Sequence, residues 1–351
     1  MATTESTDVV VIGGGVMGAA TAWQLSRAGR RVVVLEQFGV GDARASSSGR
    51  ARVFRVVYED PEYVRMALES KPMWRDLERD AGGEGLLVTL GGVDVGPDLS
   101  TLSRALSAGG ARFEQLDPVE AAKRFPRAHV RPHEEVIFQP DAGIVMADRA
   151  VAAFLGAAVG RGARVVERTA AQHLSLEGDG VSVRTKDGSL RANVAVVTAG
   201  AWVRGLVAQV GIDLPVTPSL ETVAFFPIDE EMDLTIFVDR ADLSHPLYSL
   251  PSPGEGLKAG AHHTGHVADP REGGSADPEI VRRLSEFVAE RCPEASSSPS
   301  RTETCFYTNT GDERFLLERH GPIVVGSACS GHGFKFAPLI GKRVADLVFS
   351  G

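Results

Sequence analysis

Cysteine is scarce in this chain of 351 residues: there are three, and no two of them stand in CxxC spacing. A disulfide framework needs more cysteines, and structural zinc sites need clustered cysteines or histidines. We therefore predict neither a disulfide-stabilised fold nor a metal site, and three unpaired cysteines are typical of a reducing compartment. They are Cys292, Cys305 and Cys329.

Long apolar runs and a surplus of basic residues are also missing. The first apolar run, residues 9–12, is interrupted by Gly13, Gly14 and Gly15, and no Lys or Arg precedes it. This pattern predicts neither a signal peptide nor a membrane span, so we expect a cytoplasmic protein. Lys and Arg number 37 against 46 Asp and Glu, a net charge of −9. That balance argues against nucleic acid and anionic membrane surfaces as partners.

Glycine, by contrast, is abundant. The chain has 39 glycines, which is about 11% against a usual ~7%. At roughly 150 residues per domain, the length predicts about two domains. Many of the glycines are therefore expected in turns where the backbone runs close to another group.

The N-terminal residues predict a βαβ unit with a ligand-binding turn. Strands are predicted over 8–12 and 31–36, with a helix over 15–28 between them. The intervening turn has the spacing G-x-G-x-x-G, and Glu36 at the end of the second strand can accept hydrogen bonds from ribose hydroxyls. The helix N-terminus presents free N–H groups to a pyrophosphate. The residues of this predicted dinucleotide site are Gly13, Gly15, Val16, Met17, Gly18 and Glu36. The spacing leaves NAD and FAD open, and its position at the start of the chain favours FAD.

Turn and cap residues place further elements along the chain. Asp-Pro pairs at 117–118 and 277–278 predict helix starts, the first helix ending before Pro126 and the second near Arg291. Segments 86–95 and 222–228 are predicted to form antiparallel strands. Other predictions are a helix over 150–159 with a strand over 163–167, a hairpin of 180–185 with 190–198, a strand over 323–328 and a C-terminal helix over 336–349.

Three more motifs carry a family resemblance. They are Ser48-Gly-Arg-Ala-Arg-Val-Phe-Arg55, Thr304-Cys-Phe-Tyr-Thr-Asn-Thr310 and Ser330-Gly-His-Gly-Phe-Lys-Phe336. With the N-terminal turn they resemble, in the same order, the monomeric sarcosine oxidase and N-methyltryptophan oxidase family, FAD-dependent amine oxidases of the D-amino-acid-oxidase fold. The resemblance implies an α/β fold with a Rossmann-type FAD domain over 1–82, 146–217 and 320–351. A second, α+β domain built on an antiparallel sheet is expected over 83–145 and 218–319.

The resemblance also implies roles for residues near the flavin. In the family pattern Arg55 binds the substrate carboxylate, a bidentate task that suits guanidinium, and Arg52 lies close to the flavin face. Lys335 is expected beside the ring, where it pairs with the carboxylate. Cys305 matches a cysteine that forms a thioether to the flavin 8α-methyl, which needs a thiolate, so the site is expected to lower the thiol pKa.

Other predicted cofactor contacts are backbone stretches and a serine pair. They are Gly331, Gly333 and Phe334, then Gly200 and Trp202, and finally Ser47 and Ser48, which stand where family members often have two histidines.

A strand over 256–262 is expected to place Lys258, Gly260 and His262 on one face. In the family the lysine activates O2, because a fixed cation stabilises the charge that oxygen gains. His262 and Tyr248 resemble residues near the substrate amine. A metal site of His262, His263 and His266 is the rival interpretation. We reject it because adjacent strand residues point to opposite faces and no carboxylate or cysteine completes the set.

Together these features predict a monomeric oxidase of a secondary amine amino acid, such as sarcosine, an N-methyl amino acid or a cyclic imino acid. Its partners are the small-molecule amine and O2, and its products are an imine and hydrogen peroxide. The cofactor is FAD, held covalently by Cys305. Three alternatives stay open: a dehydrogenase of the same fold, a flavin-binding protein with a decayed active site, and an NAD-dependent dehydrogenase.

Overall fold

The computed structural model describes residues 4–83, 85–229, 234–327 and 329–350. Its strands are β1 Thr4–Ile12, β2 Val32–Leu35, β3 Ala51–Phe54, β4 Leu87–Thr89, β5 Gly92–Gly96, β6 Glu114–Leu116, β7 Glu135–Gln139, β8 Gly143–Met146, β9 Arg164–Val166, β10 His173–Glu177, β11 Gly180–Thr185, β12 Gly188–Val197, β13 Thr217–Phe226, β14 Ile236–Asp239, β15 Leu247–Ser252, β16 Gly256–Ala261, β17 His266–Val267, β18 Arg301–Asn309, β19 Leu316–His320 and β20 Ile323–Ser327. Its α-helices are α1 Val16–Arg27, α2 Pro61–Ala81, α3 Ser100–Gly109, α4 Pro118–Arg124, α5 Ala147–Val159, α6 Val203–Val207, α7 Pro278–Arg291 and α8 Ala337–Phe349.

A mainly parallel sheet of eight strands is built around β1. It contains the parallel pairs β1 with β2, β1 with β12, β2 with β9 and β12 with β20. Parallel strands are buried on both faces, and Val9–Val11 and Val32–Val34 are each no more than 4% exposed. Helices α1, α2, α5 and α8 pack on one face with apolar side chains. The predicted βαβ unit is therefore confirmed, and so is the hairpin, as β11 and β12.

A second sheet has nine strands in the order β17, β13, β16, β15, β14, β5, β7 and β6, with β18 on the outer side of β13. Its pairs are antiparallel except β14 with β5. Helix α7 packs against one face through Leu284, Phe287 and Val288. A small sheet of β3, β8 and β4 packs against part of the other face, and the rest of that face forms a wall of a cavity. The prediction of a Rossmann-type sheet combined with an antiparallel one is confirmed.

The segment 86–95 differs from its prediction. Residues 87–89 form β4 in a small sheet with β8 and β3, whereas residues 92–96 form β5 in the nine-stranded sheet. Gly91 lies between them in the left-handed region, at φ +76°. This conformation suits glycine and turns the chain from one sheet to the other.

Both Asp-Pro helix starts are confirmed. The carboxylate of Asp117 accepts hydrogen bonds from the N–H groups of Val119 and Glu120. Asp277 does the same for Glu279 and Ile280 at the start of α7. These caps satisfy N–H groups that the first helical turn leaves without partners. Within the described residues no helix is long and apolar enough to cross a membrane.

Candidate active site

The glycine turn between β1 and α1 brings three parts of the chain together. Gly13 adopts φ +104°, and a Cβ there would lie 2.5 Å from the carbonyl oxygen of Thr198. Only glycine tolerates both conditions. The carboxylate of Glu36 accepts hydrogen bonds from the N–H groups of Gly14 and Phe38, each at 2.8 Å. The turn is thus fixed in shape before any ligand binds.

One large cavity begins at this turn, and we call it the main cavity. It has a volume of about 400 Å³ and runs from the glycine turn to the face of the nine-stranded sheet. The following predicted site residues line it: Gly13, Gly15, Val16, Met17, Glu36, Ser47, Arg52, Arg55, Gly200, Trp202, Tyr248, Lys258, His262, Cys305, Gly331, Gly333, Phe334 and Lys335. Residues from distant parts of the sequence therefore meet as predicted.

Gly18 and Ser48 lie outside the lining of the main cavity. A Cβ on Gly18 would overlap the carbonyl oxygen of Gly13, so this glycine lets α1 pack closely on the turn. The hydroxyl of Ser48 donates a hydrogen bond to Ala43 at 3.4 Å and is directed away from the cavity. Ser47, in contrast, accepts a hydrogen bond from the N–H of Val16 at 3.0 Å. Only one serine of the pair faces the main cavity.

Four cationic side chains converge at the far end of the main cavity: Arg52, Arg55, Lys258 and Lys335. In the part of the chain that the structure describes, no carboxylate lies within ion-pair distance of any of them. Arg52 is held by the backbone carbonyl groups of Ser46, Ser48 and Ala51. Lys258 and Lys335 are buried, and buried cations are normally paired, so this end of the cavity is built to receive an anion.

Lys335 is 4% exposed. Its ammonium donates hydrogen bonds to the Tyr58 hydroxyl at 2.8 Å and to the carbonyl oxygen of His332 at 2.7 Å. Burial and the positive charge of Arg55 lower the pKa of Lys335 well below its ordinary value. A negatively charged ligand would reverse this effect by stabilising the ammonium form.

Lys258 lies on β16 and is 7% exposed. Its ammonium is 5.6 Å from the centre of the Phe225 ring. Burial, followed by the positive charge of Arg52, lowers the pKa of Lys258 to about 7. This lysine can therefore gain and lose its proton near neutral pH, and small changes in local charge decide which form is present.

His262 and Tyr248 line the cavity on either side of Gly260. A Cβ on Gly260 would overlap the Tyr248 hydroxyl, so glycine at this position makes room for the phenol. Burial, helped by the neighbouring His263, lowers the pKa of His262 to about 2. The imidazole is therefore neutral at physiological pH. Burial also raises the pKa of Tyr248, which keeps the phenol protonated.

Cys305 lies on β18, opposite Glu221 of β13, and lines the main cavity. We expected the site to lower its thiol pKa, and this expectation is wrong. Burial raises the pKa of Cys305, and the positive charges of Arg52 and Lys258 oppose the shift only in part. Sequence reasoning also missed Cys329, which lines the same cavity and accepts a hydrogen bond from Thr308 N–H at 3.3 Å.

His262 and His263 do not follow the strand alternation that we expected, and our rejection of a histidine cluster on that ground is wrong. β16 ends at Ala261, before the two histidines, and His263 adopts φ +54°. Alternation of side chains along a strand therefore does not apply to them, and their rings lie 4.0 Å apart. A carboxylate is present as well, because Glu313 approaches His263 to 3.4 Å. His266 is exposed on β17 and lies outside this cluster.

The main cavity fits FAD. The glycine turn, the start of α1 and Glu36 match the needs of a pyrophosphate and a ribose, and the cations at the far end match a ring system that gains negative charge. A dinucleotide turn joined to a cation-lined pocket beneath an antiparallel sheet defines a flavin-dependent oxidoreductase.

Comparison with known proteins gives the family. Residues 8–347 match the model described as FAD dependent oxidoreductase, and the chain belongs to this family. It is 33% identical to the peroxisomal sarcosine oxidase of Mus musculus, over 99% of this chain and 93% of that protein. It is 31% identical to the monomeric sarcosine oxidase of Bacillus sp. strain B-0618, over 98% of this chain and 92% of the relative. The structure of the amino acid oxidase NikD is 29% identical, with a TM-score of 0.87 over 99% of this chain and 95% of that one. The predicted resemblance to sarcosine oxidases is confirmed.

Proposed function

We propose that this protein oxidises a secondary amine that carries an α-carboxylate to the imine and passes the electrons to O2. Substrates of this class are sarcosine, N-methyl amino acids and cyclic imino acids. The proposal depends on a group of four cations that have no carboxylate partner among the described residues. They lie next to a neutral histidine, in a cavity that begins at a dinucleotide turn. The names of its sarcosine oxidase relatives support the same reaction class.

Arg55 and Lys335 would bind the substrate carboxylate. Both line the main cavity, and the charge of Arg55 already acts on Lys335. A carboxylate between them neutralises this repulsion and stabilises the charged form of Lys335. Tyr58 positions the lysine through its 2.8 Å hydrogen bond. Binding at this end fixes the substrate, so that its C–N bond is oriented towards the cofactor.

His262 and Tyr248 would surround the substrate amine. Oxidation requires the neutral form of the amine. The His262 imidazole is also uncharged, so it places no positive charge beside the amine. Bound FAD would supply the two-electron chemistry: two electrons and two protons leave the C–N unit, and O2 accepts them as hydrogen peroxide. Water then hydrolyses the imine to an amine and a carbonyl group. Lys258 would stabilise the negative charge that O2 gains.

Covalent attachment of FAD through Cys305 is part of the proposal. The thiol lines the main cavity, and two cations, Arg52 and Lys258, favour its thiolate. All three cysteines are free, which agrees with the cytoplasmic location that we also propose. A monomer is the proposed assembly, as the name of the Bacillus relative suggests.

Replacement of Cys305 with serine should release the cofactor. After acid precipitation we expect yellow colour in the pellet of the wild-type protein and in the supernatant of Cys305→Ser. Cys329→Ser is the matched control, because Cys329 lines the same cavity, and its colour should stay in the pellet. Colour in the wild-type supernatant, or retention by Cys305→Ser, would contradict the linkage.

The reaction of the reduced enzyme with O2 should depend on the protonation of Lys258. The cation is the active form, and its pKa is lowered to about 7. Negative charge in the cavity raises this pKa. The rate constant for reoxidation should therefore fall as the pH rises and Lys258 loses its single proton, with a midpoint at or above about pH 7. Stopped-flow reoxidation at several pH values measures it. Lys258→Arg stays protonated and should show a flat profile, whereas a flat wild-type profile would contradict the assignment.

A substrate panel with peroxide detection tests the function as a whole. We expect sarcosine, an N-methyl amino acid or pipecolate to yield one hydrogen peroxide for each amine oxidised. Turnover with an artificial electron acceptor but without peroxide would instead favour a dehydrogenase. A yellow protein that turns over none of these compounds with any acceptor would contradict the proposal.

A further inference from the structure

A cluster of two histidines and a glutamate lies between the main cavity and solvent. Its members are His262, His263 and Glu313, and one ligand atom of each lies within 4.8 Å of the other two. His262 lines the main cavity, whereas 55% of the Glu313 side chain is exposed. The cluster therefore spans the wall that separates the proposed amine site from the surface.

The geometry of the pair His263 and Glu313 matches a tetrahedral metal better than a hydrogen bond. Their Nε2 and Oε1 atoms are 3.4 Å apart. A charge-assisted hydrogen bond between nitrogen and carboxylate is typically ~2.7–2.9 Å. Two atoms bound to one tetrahedral Zn²⁺ at ~2.0–2.1 Å lie about 3.3–3.4 Å apart. The separation of this pair matches that of two ligands of one metal ion, and the three ligand atoms lie within 4.8 Å of one another.

The same nitrogen of His263 also lacks a hydrogen bond of good geometry. This Nε2 atom is screened from solvent and has no hydrogen-bond partner among the described residues. Buried polar atoms are nearly always satisfied in native proteins, so an unsatisfied one calls for an explanation. A metal ion between this nitrogen and Glu313 would satisfy it.

We propose that His262, His263 and Glu313 bind Zn²⁺ or a related divalent transition metal, and that the bound ion inhibits substrate oxidation. Two imidazoles and one carboxylate are a common donor set for zinc, with a fourth position for water. The ion would hold the His262 ring at the cavity wall and prevent it from adjusting to the substrate amine. The inhibition rests on the proposed function, whereas the binding does not.

Equilibrium dialysis of the FAD-containing protein against Zn²⁺, together with zinc inhibition of turnover, tests both parts. The wild type should bind one zinc per chain at this site. His263→Gln and Glu313→Gln should each weaken binding at least about tenfold, since loss of even an outer partner of a ligand costs 10–100-fold. The zinc concentration for half-inhibition should rise by the same factor, with little change in metal-free activity.

His320→Gln is the matched control, because His320 and Glu318 form an exposed histidine–glutamate pair at 2.9 Å outside the cluster. It should leave zinc affinity and inhibition unchanged. Co²⁺ serves as a spectroscopic probe, since a thiolate ligand such as Cys329 gives an intense charge-transfer band that nitrogen and oxygen ligands lack.

Three results would overturn the inference. Unchanged zinc affinity in both His263→Gln and Glu313→Gln, or a cobalt–thiolate band, would place the metal elsewhere. Zinc that binds at the cluster without inhibiting an active enzyme would overturn the inhibitory role. Zinc binding that depends on His263 and Glu313 in a protein without amine oxidase activity would refute the proposed function and leave the metal site intact.

Discussion

Replacement of Lys258 with methionine is expected to slow the reaction of the reduced enzyme with O2 by about 10²–10³-fold. Methionine keeps the unbranched shape of the side chain but removes the charge. The cation lies in the wall of the main cavity at 7% exposure, so water cannot replace it effectively. Stopped-flow mixing of the reduced protein with oxygenated buffer measures the rate constant directly.

Anaerobic reduction by substrate is the internal control for Lys258→Met. The rate constant of this reduction should change by less than about tenfold, because the substrate carboxylate would bind to Arg55 and Lys335 and not to Lys258. Lys258→Arg retains the charge and should keep much of the oxygen reactivity. Equal losses in the two half-reactions would show that Lys258 supports the fold of the cavity and not the reaction with O2.

Replacement of Arg55 with glutamine is expected to lower kcat/KM for a carboxylate-bearing amine by about 10²–10³-fold. Removal of one partner from a buried charged pair costs about 2–5 kcal/mol, which is a factor of about 30 to 5,000 and includes this range. Most of the effect should fall on KM, since the contact is made before and during the reaction. Steady-state kinetics with peroxide detection provide the measurement.

Arg50→Gln is the matched control for Arg55→Gln. Arg50 belongs to the same segment, but it is exposed and donates a hydrogen bond to the carbonyl oxygen of Pro253 at 2.7 Å. Its replacement should leave kcat/KM within about twofold. Similar losses in both variants, or no loss in Arg55→Gln, would contradict the assignment of the carboxylate site.

The sequence predicts those parts of the structure that depend on local patterns. The strand, glycine turn and helix at the N-terminus follow from residue spacing, and Asp117 and Asp277 mark helix starts through their own hydrogen bonds. The family motifs predict that distant residues such as Arg52 and Cys305 lie close together, and both line the main cavity. These predictions succeed because the required chemistry is carried by short segments.

The remaining features depend on packing between distant segments. Glu313 meets His263 only because the loop after β18 folds back across the end of β16. Cys329 lines the main cavity because β20 lies next to β12. Of the serine pair, Ser47 lines the main cavity and Ser48 does not. The thiol pKa of Cys305 depends on burial, which no short motif specifies.

The most direct test of the proposed function is anaerobic addition of substrate to the purified yellow protein, followed by visible absorbance. Sarcosine, an N-methyl amino acid, proline and pipecolate each carry the secondary amine and the carboxylate that the main cavity is proposed to bind. We predict that at least one of them bleaches the oxidised flavin spectrum, and that admission of O2 restores it with formation of hydrogen peroxide. If none of them bleaches a flavin that dithionite reduces fully, the protein is not an oxidase of these amines.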